Sequence, residues 1–194
     1  KDGMTITTSG FVASQMPEAL NKALEKSFLE TGHPRDLTLF YAAAQGNRDG
    51  SGADHFAHEG MLRRVIGGHY NMAPELGKLI IANKLEAYNL PQGTLSQLFR
   101  DIAAHKLGTL THVGLNTFAD PRVEGGKLNE ITKEDIVEVV SVLGEERLLY
   151  KAQKVDIAFI RGSIADENGN VSLQHECCTN EATAIAQAAR NSGG

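Results

Sequence analysis

The chain repeatedly passes from a short strand-like segment, through a glycine-containing turn, directly into a helical segment. Residues 85–94 are the clearest case: Leu85–Asn89 is typical of a short strand, Pro91–Gly93 of a turn, and a helical pattern begins at Thr94. Such a junction leaves backbone N–H groups unpaired at the start of the helix, where the helix dipole favours negative charge. The pattern therefore favours an α/β sheet whose ligand sites lie at the carboxyl ends of its strands.

The other strand-like and helical segments alternate along the chain in the same way. The predicted strands are Thr5–Ser9, Leu37–Ala42, Arg63–Gly67, His112–Leu115, Arg147–Lys151, Val155–Ile160 and Val171–Gln174. Helices are predicted to begin at Pro17 and to cover Ala53–Gly60, Ala73–Asn83, Thr94–His105 and Glu181–Asn191, with Thr132–Val142 as a short helix or a mixture of helix and strand. We predict one α/β domain over residues 1–194, with an open, mostly parallel sheet and helices on both faces.

Composition narrows the class of protein. With 194 residues, 41% of them apolar and 22% charged, the chain can form one domain with its own core. No apolar segment approaches the ~20 residues that a membrane span needs, and a net charge of −5 without a basic cluster argues against nucleic acid. The two cysteines, Cys177 and Cys178, are adjacent and form no disulfide framework, so we expect a cytoplasmic protein.

Three loops that follow predicted strands are candidates for one binding site: Gly10–Met16, Gln45–Gly52 and Leu90–Gly93. Each alone has a simple structural explanation, because short loops between strands and helices commonly contain glycine. In a parallel sheet all three reach the same edge, which favours a site for a small anion or acyl group. Within it, Gln92 offers an uncharged donor and acceptor, and Gly93 lets a ligand approach the backbone closely.

Two histidines and one acidic turn have simpler explanations than catalysis. His55 and His58 lie three residues apart on one helical face, but no third ligand accompanies them, so we predict hydrogen bonds to neighbouring loops and no metal site. The segment Asp166–Asn170 lies between two strand-like segments, and its Asn-Gly pair favours a turn. Glu167 is therefore interpreted as a turn residue rather than a nucleophile.

The sequence carries no glycine-rich nucleotide fingerprint and no nucleophile elbow centred on serine, so NAD, ATP and serine-hydrolase functions have no support. Several longer stretches do match one family of enzymes. These stretches are Thr7–Phe11, Pro17–Leu20, Asp54–Gly60, Val65–Tyr70, Tyr88–Leu95, Thr117–Arg122 and Gly125–Asn129. On these residues the chain resembles the first half of family I coenzyme A transferases, in particular the single-chain acetate/propionate branch.

The resemblance implies an α/β half that pairs with a similar half, in the same chain or as a second subunit, with the active site between them. In the family, a glutamate of the second half attacks an acyl-CoA thioester and then holds CoA as a glutamyl thioester in a ping-pong cycle. CoA is a substrate, and no cofactor or metal is implied. We therefore expect no catalytic residue in this chain, no activity of the chain alone, and assembly into a homo- or hetero-oligomer.

The resemblance also implies residues that form the pocket for acyl-CoA and short-chain carboxylates. These residues are Gly10, Phe11, Gln45, Gly46, Gln92 and Gly93, of which Gln92 matches most securely. The abrupt start and end suggest a fragment or a subunit of a larger enzyme. Two alternatives stay open from the sequence: a non-catalytic module that binds acyl-CoA or a small anion, and a sugar-phosphate isomerase or related sensor of similar architecture.

Overall fold

The computed structural model describes residues 1–194. Its strands are β1 Thr5–Thr8, β2 Leu37–Phe40, β3 Leu62–Gly67, β4 Glu86–Asn89, β5 Gly108–Thr111, β6 Val137–Val142, β7 Glu145–Lys151, β8 Ile157–Phe159, β9 Ile164–Ala165 and β10 Val171–Ser172. Its helices are α1 Glu18–Thr31, α2 Pro74–Ile81, α3 Gln92–Ala103 and α4 Ala182–Asn191, with a short 3-10 helix at Gly52–Phe56. None of these helices has both the length and the apolar character needed to cross a bilayer.

The central sheet has five parallel strands in the order β4-β3-β2-β1-β8. Strand β1 pairs on both sides, so that Ile6 lies opposite Leu39 of β2 and opposite Ile157 of β8. From β1 the chain builds the sheet outward through β2, β3 and β4, and later returns to add β8 on the other side. The strand order therefore reverses between β1 and β8, which is the position where open α/β sheets commonly bind ligands.

Alternating side chains of the central strands enter two separate cores. Leu39 and Val65 belong to a buried cluster that also contains residues of α2, and Leu24 of α1 packs against it. Their neighbours Phe40 and Ile66 belong to a second cluster with residues of α3 and α4. Because both faces of the sheet are covered, strand residues are apolar in succession rather than in alternation. The predicted α/β fold, with a mostly parallel sheet and helices on both faces, is confirmed.

Strand β4 lies at one edge of the sheet, and the segment that follows Arg122 covers this edge. The Asn89 N–H donates to the Gly126 carbonyl at 2.7 Å, and the Leu128 N–H donates to the Ala87 carbonyl at 3.0 Å. The Ala87 N–H in turn donates to the Thr132 hydroxyl at 2.8 Å. The segment 121–132 thus protects β4, since an unpaired strand edge is prone to aberrant pairing.

A second, antiparallel sheet in the order β5-β7-β6 was absent from the sequence prediction. The predicted strand His112–Leu115 is wrong, because β5 ends at Thr111 and the chain then turns. The Thr111 hydroxyl accepts the Val113 N–H at 3.1 Å, and Gly114 has a φ of +99°. These local features end the ladder four residues before the predicted limit, Leu115.

Other segments also differ from the prediction. The predicted helix Ala53–Gly60 is a short 3-10 helix that ends at Phe56. Thr132–Val142 contains no helix; its second part is β6, a valine-rich strand that pairs with β7. Helix α3 begins at Gln92 rather than Thr94, directly after Pro91, whose fixed φ suits a helix entrance. Gln92 and Gly93 are therefore the first helical residues, not turn residues.

Adjacent glycines in the edge-covering segment allow a steric test of the packing against β4. Gly126 and Gly125 have φ values of +72° and +64°, but a Cβ on Gly126 would lie 2.8 Å from the Asn89 carbonyl oxygen, whereas one on Gly125 meets ordinary contacts. We expect Gly126→Ala to lower the free energy of unfolding by about 3 kcal/mol and Gly125→Ala by about 1 kcal/mol. Urea denaturation measures both, and equal losses would contradict this packing.

Candidate active site

A cleft of about 410 Å³ opens at the point where the strand order reverses, between the start of α1 and the end of β8. Its walls are two short segments, Met16–Leu20 and Ile160–Gly162. Leu20, in the first turn of α1, is 44% exposed and lines this cleft. Arg161 lines the cleft but was not among the predicted site residues, although an Arg-Gly pair directly after the predicted strand Val155–Ile160 could have indicated it.

The loop after β1 brings Gly10 and Phe11 to the same edge of the sheet. Gly10 is buried with a φ of +141°, and a Cβ there would lie 3.3 Å from side-chain atoms of Gln45 and Met16. Phe11 and Ser14 exchange backbone hydrogen bonds of 3.0 and 2.9 Å, which close the loop tightly. The Phe11 side chain remains 47% exposed. Gly10 thus permits close packing, and Phe11 presents apolar surface outward.

Gln45 and Gly46 bind this loop to the end of β2. The Gln45 side chain is 2% exposed and its amide donates to the Thr8 carbonyl at 2.9 Å. The Gly46 N–H donates to the Val12 carbonyl at 3.0 Å, and a φ of +141° at Gly46 fits glycine. In this chain Gln45 therefore joins two loops, while its predicted contact with substrate stays a prediction.

Gln92 and Gly93 lie at the exposed start of α3, next to the loop after β3. A Cβ on Gly68 would lie 3.0 Å from the Gln92 Cβ, and the Gly68 N–H donates to the Ala42 carbonyl at 3.1 Å. The structure thus joins Gly10 with Gln45 and Gly46, and separately joins Gln92 with the loops after β2 and β3. Open space surrounds the Gly93 Cα, so a ligand can approach the backbone there.

A network of two glutamates and two histidines fixes α1 against the glycine-rich loop. His55 lies between Glu18 and Glu25, with nitrogen–oxygen distances of 2.7 and 2.6 Å, and His58 lies 2.7 Å from the other oxygen of Glu25. Glu18 also accepts the Gly52 N–H at 3.0 Å. Partial burial acts to raise the pKa of Glu18, but the hydrogen bonds from His55 and Gly52 outweigh it and the pKa lies below its ordinary value.

The same network occupies the two histidines that were considered as metal ligands. His55 and His58 each contact a glutamate. No group of three or more histidine, cysteine or acidic residues in the chain is arranged to hold a metal ion. The predicted hydrogen bonds of these histidines are present, and their partners are residues of α1 rather than of neighbouring loops.

Two buried polar groups beside Gly10 have no hydrogen-bond partner in the chain. They are the Ser9 hydroxyl and the Gln15 side-chain nitrogen, on residues that are 0% and 1% exposed. Buried polar groups nearly always find a partner, because an unpaired one costs about 1–3 kcal/mol. Both groups lie in the loop that leads to Met16 of the cleft wall, so a binding partner that reached them would stabilise this loop.

Two acidic segments, one at Asp120 and one at Asp166–Asn170, are held by local hydrogen bonds. Asp120 is fully buried and accepts the Asn116 N–H at 2.9 Å and the Arg122 guanidinium at 2.8 Å; the Arg122 hydrogen bond holds the pKa of this carboxyl well below its usual range. Glu167 lies in the turn between β9 and β10, where Asp166 accepts the Asn168 and Asn170 N–H groups at 3.0 and 2.8 Å. The predicted turn is present.

Comparison with known proteins gives a consistent result over the whole chain. A family model for coenzyme A transferase matches residues 1–191. Caffeate CoA-transferase of Acetobacterium woodii is 43% identical over 193 residues, which are 100% of this chain and 37% of that protein. The acetate CoA-transferase subunit alpha of Escherichia coli K12 is 33% identical, over 90% of this chain and 70% of that subunit.

The fold agrees with a crystal structure of the acyl-CoA transferase YdiF apoenzyme from Escherichia coli O157:H7. The TM-score is 0.96 at 38% sequence identity, covering 100% of this chain and 38% of that chain. The chain therefore spans less than two fifths of the caffeate enzyme and of YdiF.

The lowered pKa of Glu18 predicts how the network contributes to stability as pH changes. Because the folded-state pKa lies below the ordinary 4.5, the contribution is fully present above about pH 4.5 and is lost as pH falls through the folded-state pKa. We expect Glu18→Gln to lower Tm by about 3 °C at pH 7, the shift for about 1 kcal/mol in a domain of this size, and by less at pH 3. Thermal unfolding followed by circular dichroism measures both values.

The control for this experiment is Glu30→Gln, on the same helix. Glu30 is exposed and pairs only with Lys26 at 3.7 Å, so Tm should change little at any pH. A Tm difference between wild type and Glu18→Gln that stays constant from pH 7 to pH 3 would contradict the assigned network.

Proposed function

The chain belongs to the coenzyme A transferase family, and from this premise we propose that it forms one half of an acyl-CoA:carboxylate CoA-transferase. In this proposal the complete enzyme moves CoA between a short-chain acyl-CoA and an acetate-like acid. A second half, outside residues 1–194, carries the nucleophilic glutamate. The observation that carries the proposal is the cleft between the start of α1 and the end of β8. The loop after β1, which contains residues that match the family, leaves the sheet at the same place.

The proposed reaction is a ping-pong cycle in which acyl and CoA groups are exchanged through a glutamate. The glutamate carboxylate attacks the thioester carbonyl carbon, CoA thiolate leaves, and an acyl–glutamyl anhydride forms. The thiolate then attacks the glutamyl carbonyl, which releases the carboxylic acid and leaves a glutamyl-CoA thioester. The acceptor acid repeats these steps in reverse order. Each attack creates a negatively charged tetrahedral oxygen, so the chief requirement is a set of fixed hydrogen-bond donors.

In the proposal, this chain supplies positioning and donors rather than the nucleophile. The first N–H groups of α3, at Gln92 and Gly93, have no partner within the helix and lie where the helix dipole favours negative charge. The Gln92 amide can hold a carboxylate or carbonyl oxygen. Gly10 and Gly46 keep the neighbouring loops close, and Phe11 covers an apolar acyl chain. Gln45 fixes the loops from within.

A second half of related fold is the proposed partner, either in the same chain or as a separate subunit. Three features support it. Leu20 in the cleft wall and Phe11 in the loop after β1 are exposed. The same loop contains the unpaired Ser9 hydroxyl and Gln15 side-chain nitrogen, and the cleft wall has no carboxylate other than Glu18. Glu18 is already held by His55 and Gly52. A similar E. coli protein is itself described as a subunit alpha, which fits a two-subunit arrangement.

A chimera tests the proposed division of labour. We expect residues 1–194 alone to show no exchange of CoA between propionyl-CoA and acetate. A chimera in which they replace the matching part of E. coli YdiF should catalyse this exchange, because the remainder of YdiF then supplies the second half. Chromatographic separation of the CoA esters measures the rate. Robust turnover by residues 1–194 alone, or an inactive chimera with a native circular dichroism spectrum, would contradict the proposal.

Two substitutions in the active chimera separate positioning from nucleophilic roles. Gln92→Ala removes a proposed substrate donor, and we expect kcat/KM to fall by about 100-fold, as for other donors to a developing oxyanion. Glu167→Gln changes only an exposed turn residue and should leave kcat/KM within about twofold of the parent chimera. Loss of activity in Glu167→Gln, with Gln92→Ala unaffected, would reverse the two assignments.

A further inference from the structure

The two cysteines form a close pair of thiols beside the loop after β1. Cys177 and Cys178 lie between the β9–β10 hairpin and α4, and their Sγ atoms are 3.6 Å apart. Cys177 is exposed and Cys178 is partly buried. The pair lies outside the cleft wall described above, and the proposed transfer reaction makes no use of either thiol.

The segment that carries the thiols is attached directly to the Gly10–Met16 loop. The Asn180 side-chain amide donates to the Gln15 side-chain oxygen at 2.8 Å. A hydrogen bond with Ser14 lowers the pKa of the Cys177 thiol, and the neighbouring Cys178 adds to this effect. Ser14 in turn exchanges two backbone hydrogen bonds with Phe11. Ser14 therefore connects Cys177 with Phe11, so a chemical change at Cys177 can affect the loop that carries the exposed Phe11 side chain.

We propose that Cys177 and Cys178 form a reversible oxidation site, in which Cys177 is the reactive thiol and Cys178 the resolving thiol. An exposed thiol next to a second one is the arrangement of redox-responsive cysteines. The environments of the two thiols support this assignment of roles. Burial is the largest cause that raises the pKa of the Cys178 thiol, and the neighbouring Cys177 adds to it, whereas the pKa of the Cys177 thiol is lowered. The site does not depend on the proposed transferase function.

The oxidant is hydrogen peroxide. The Cys177 thiolate attacks the terminal peroxide oxygen, the O–O bond breaks, and hydroxide leaves and takes up the thiol proton as water. Cys177 is then a sulfenic acid. The Cys178 sulfur attacks the Cys177 sulfur, the S–O bond breaks, and a second water leaves with the Cys178 proton. Two thiols are oxidised to one disulfide, and one molecule of hydrogen peroxide is reduced to two of water.

The geometry predicts that this disulfide is easily reduced. Forming it brings the sulfurs from 3.6 Å to about 2.05 Å, while the Cα atoms of adjacent residues are closer than in ordinary disulfides. Strained and exposed disulfides are the labile ones. Because the bond consumes the Cys177 thiol, its hydrogen bond with Ser14 is lost. Oxidation should therefore loosen the Gly10–Met16 loop without unfolding the protein.

Intact mass spectrometry of residues 1–194 tests the proposal. After brief treatment with a small excess of hydrogen peroxide and then iodoacetamide, we expect a species lighter by two hydrogens that carries no alkyl group. Dithiothreitol should restore two alkylatable thiols. Hydrogen exchange of the peptide containing residues 10–16 should be faster in the oxidised form. Disulfide-linked dimers, sulfinic acid, or unchanged alkylation of both thiols as the main outcome would overturn the proposal.

Single variants assign the two roles. In Cys178→Ser the sulfenic acid of Cys177 cannot be resolved, so dimedone should trap it in the monomer. In Cys177→Ser the remaining thiol should react with iodoacetamide at pH 7 more slowly than the thiol left in Cys178→Ser, because Cys178 is partly buried and Cys177 is exposed. Equal rates in the two variants, or faster reaction of Cys178, would contradict the assignment.

Discussion

The parallel direction of the five central strands is the constraint on which the rest of the structure depends. Because the strands share one direction, every loop that follows a strand leaves at the same edge. Strand β1 pairs on both sides, so its following loop lies between the loop after β2 and the residues after β8. The cleft lined by Met16–Leu20 and Ile160–Gly162 is a direct consequence of this strand order.

Close backbone approach then decides which loops meet. Gly10 and Gly46 hold backbone conformations that suit glycine, and the buried Gln45 amide joins the loops after β1 and β2. Glu18 adds an electrostatic link, because one carboxylate oxygen accepts the Gly52 N–H and the other contacts His55. Three of the six predicted pocket residues, Gly10, Gln45 and Gly46, are thus buried and hold the loops together. The other three, Phe11, Gln92 and Gly93, are exposed and can touch a ligand.

The strands of the parallel sheet could be predicted from the sequence, but the antiparallel sheet β5-β7-β6 could not. The strands around Leu39 and Val65 were predictable because both faces are buried, so successive residues such as Leu39 and Phe40, or Val65 and Ile66, are apolar. The strand β5 was misplaced, since a threonine side chain and a glycine turn end it, and such local hydrogen bonds leave little trace in hydrophobic periodicity. The Glu18–His55 contact was missed because it joins residues far apart in sequence.

The central claim is that this chain binds and orients the reacting groups while the nucleophile comes from elsewhere. A crystal structure of the chimera with YdiF, soaked with propionyl-CoA, tests this most directly. The account predicts density that joins the CoA sulfur, or the acyl group, to a glutamate outside residues 1–194, with the adjoining carbonyl oxygen within hydrogen-bond distance of Gln92 or Gly93. Density continuous with Glu167, or an acyl group remote from the edge that carries Gly10 and Gln92, would contradict it.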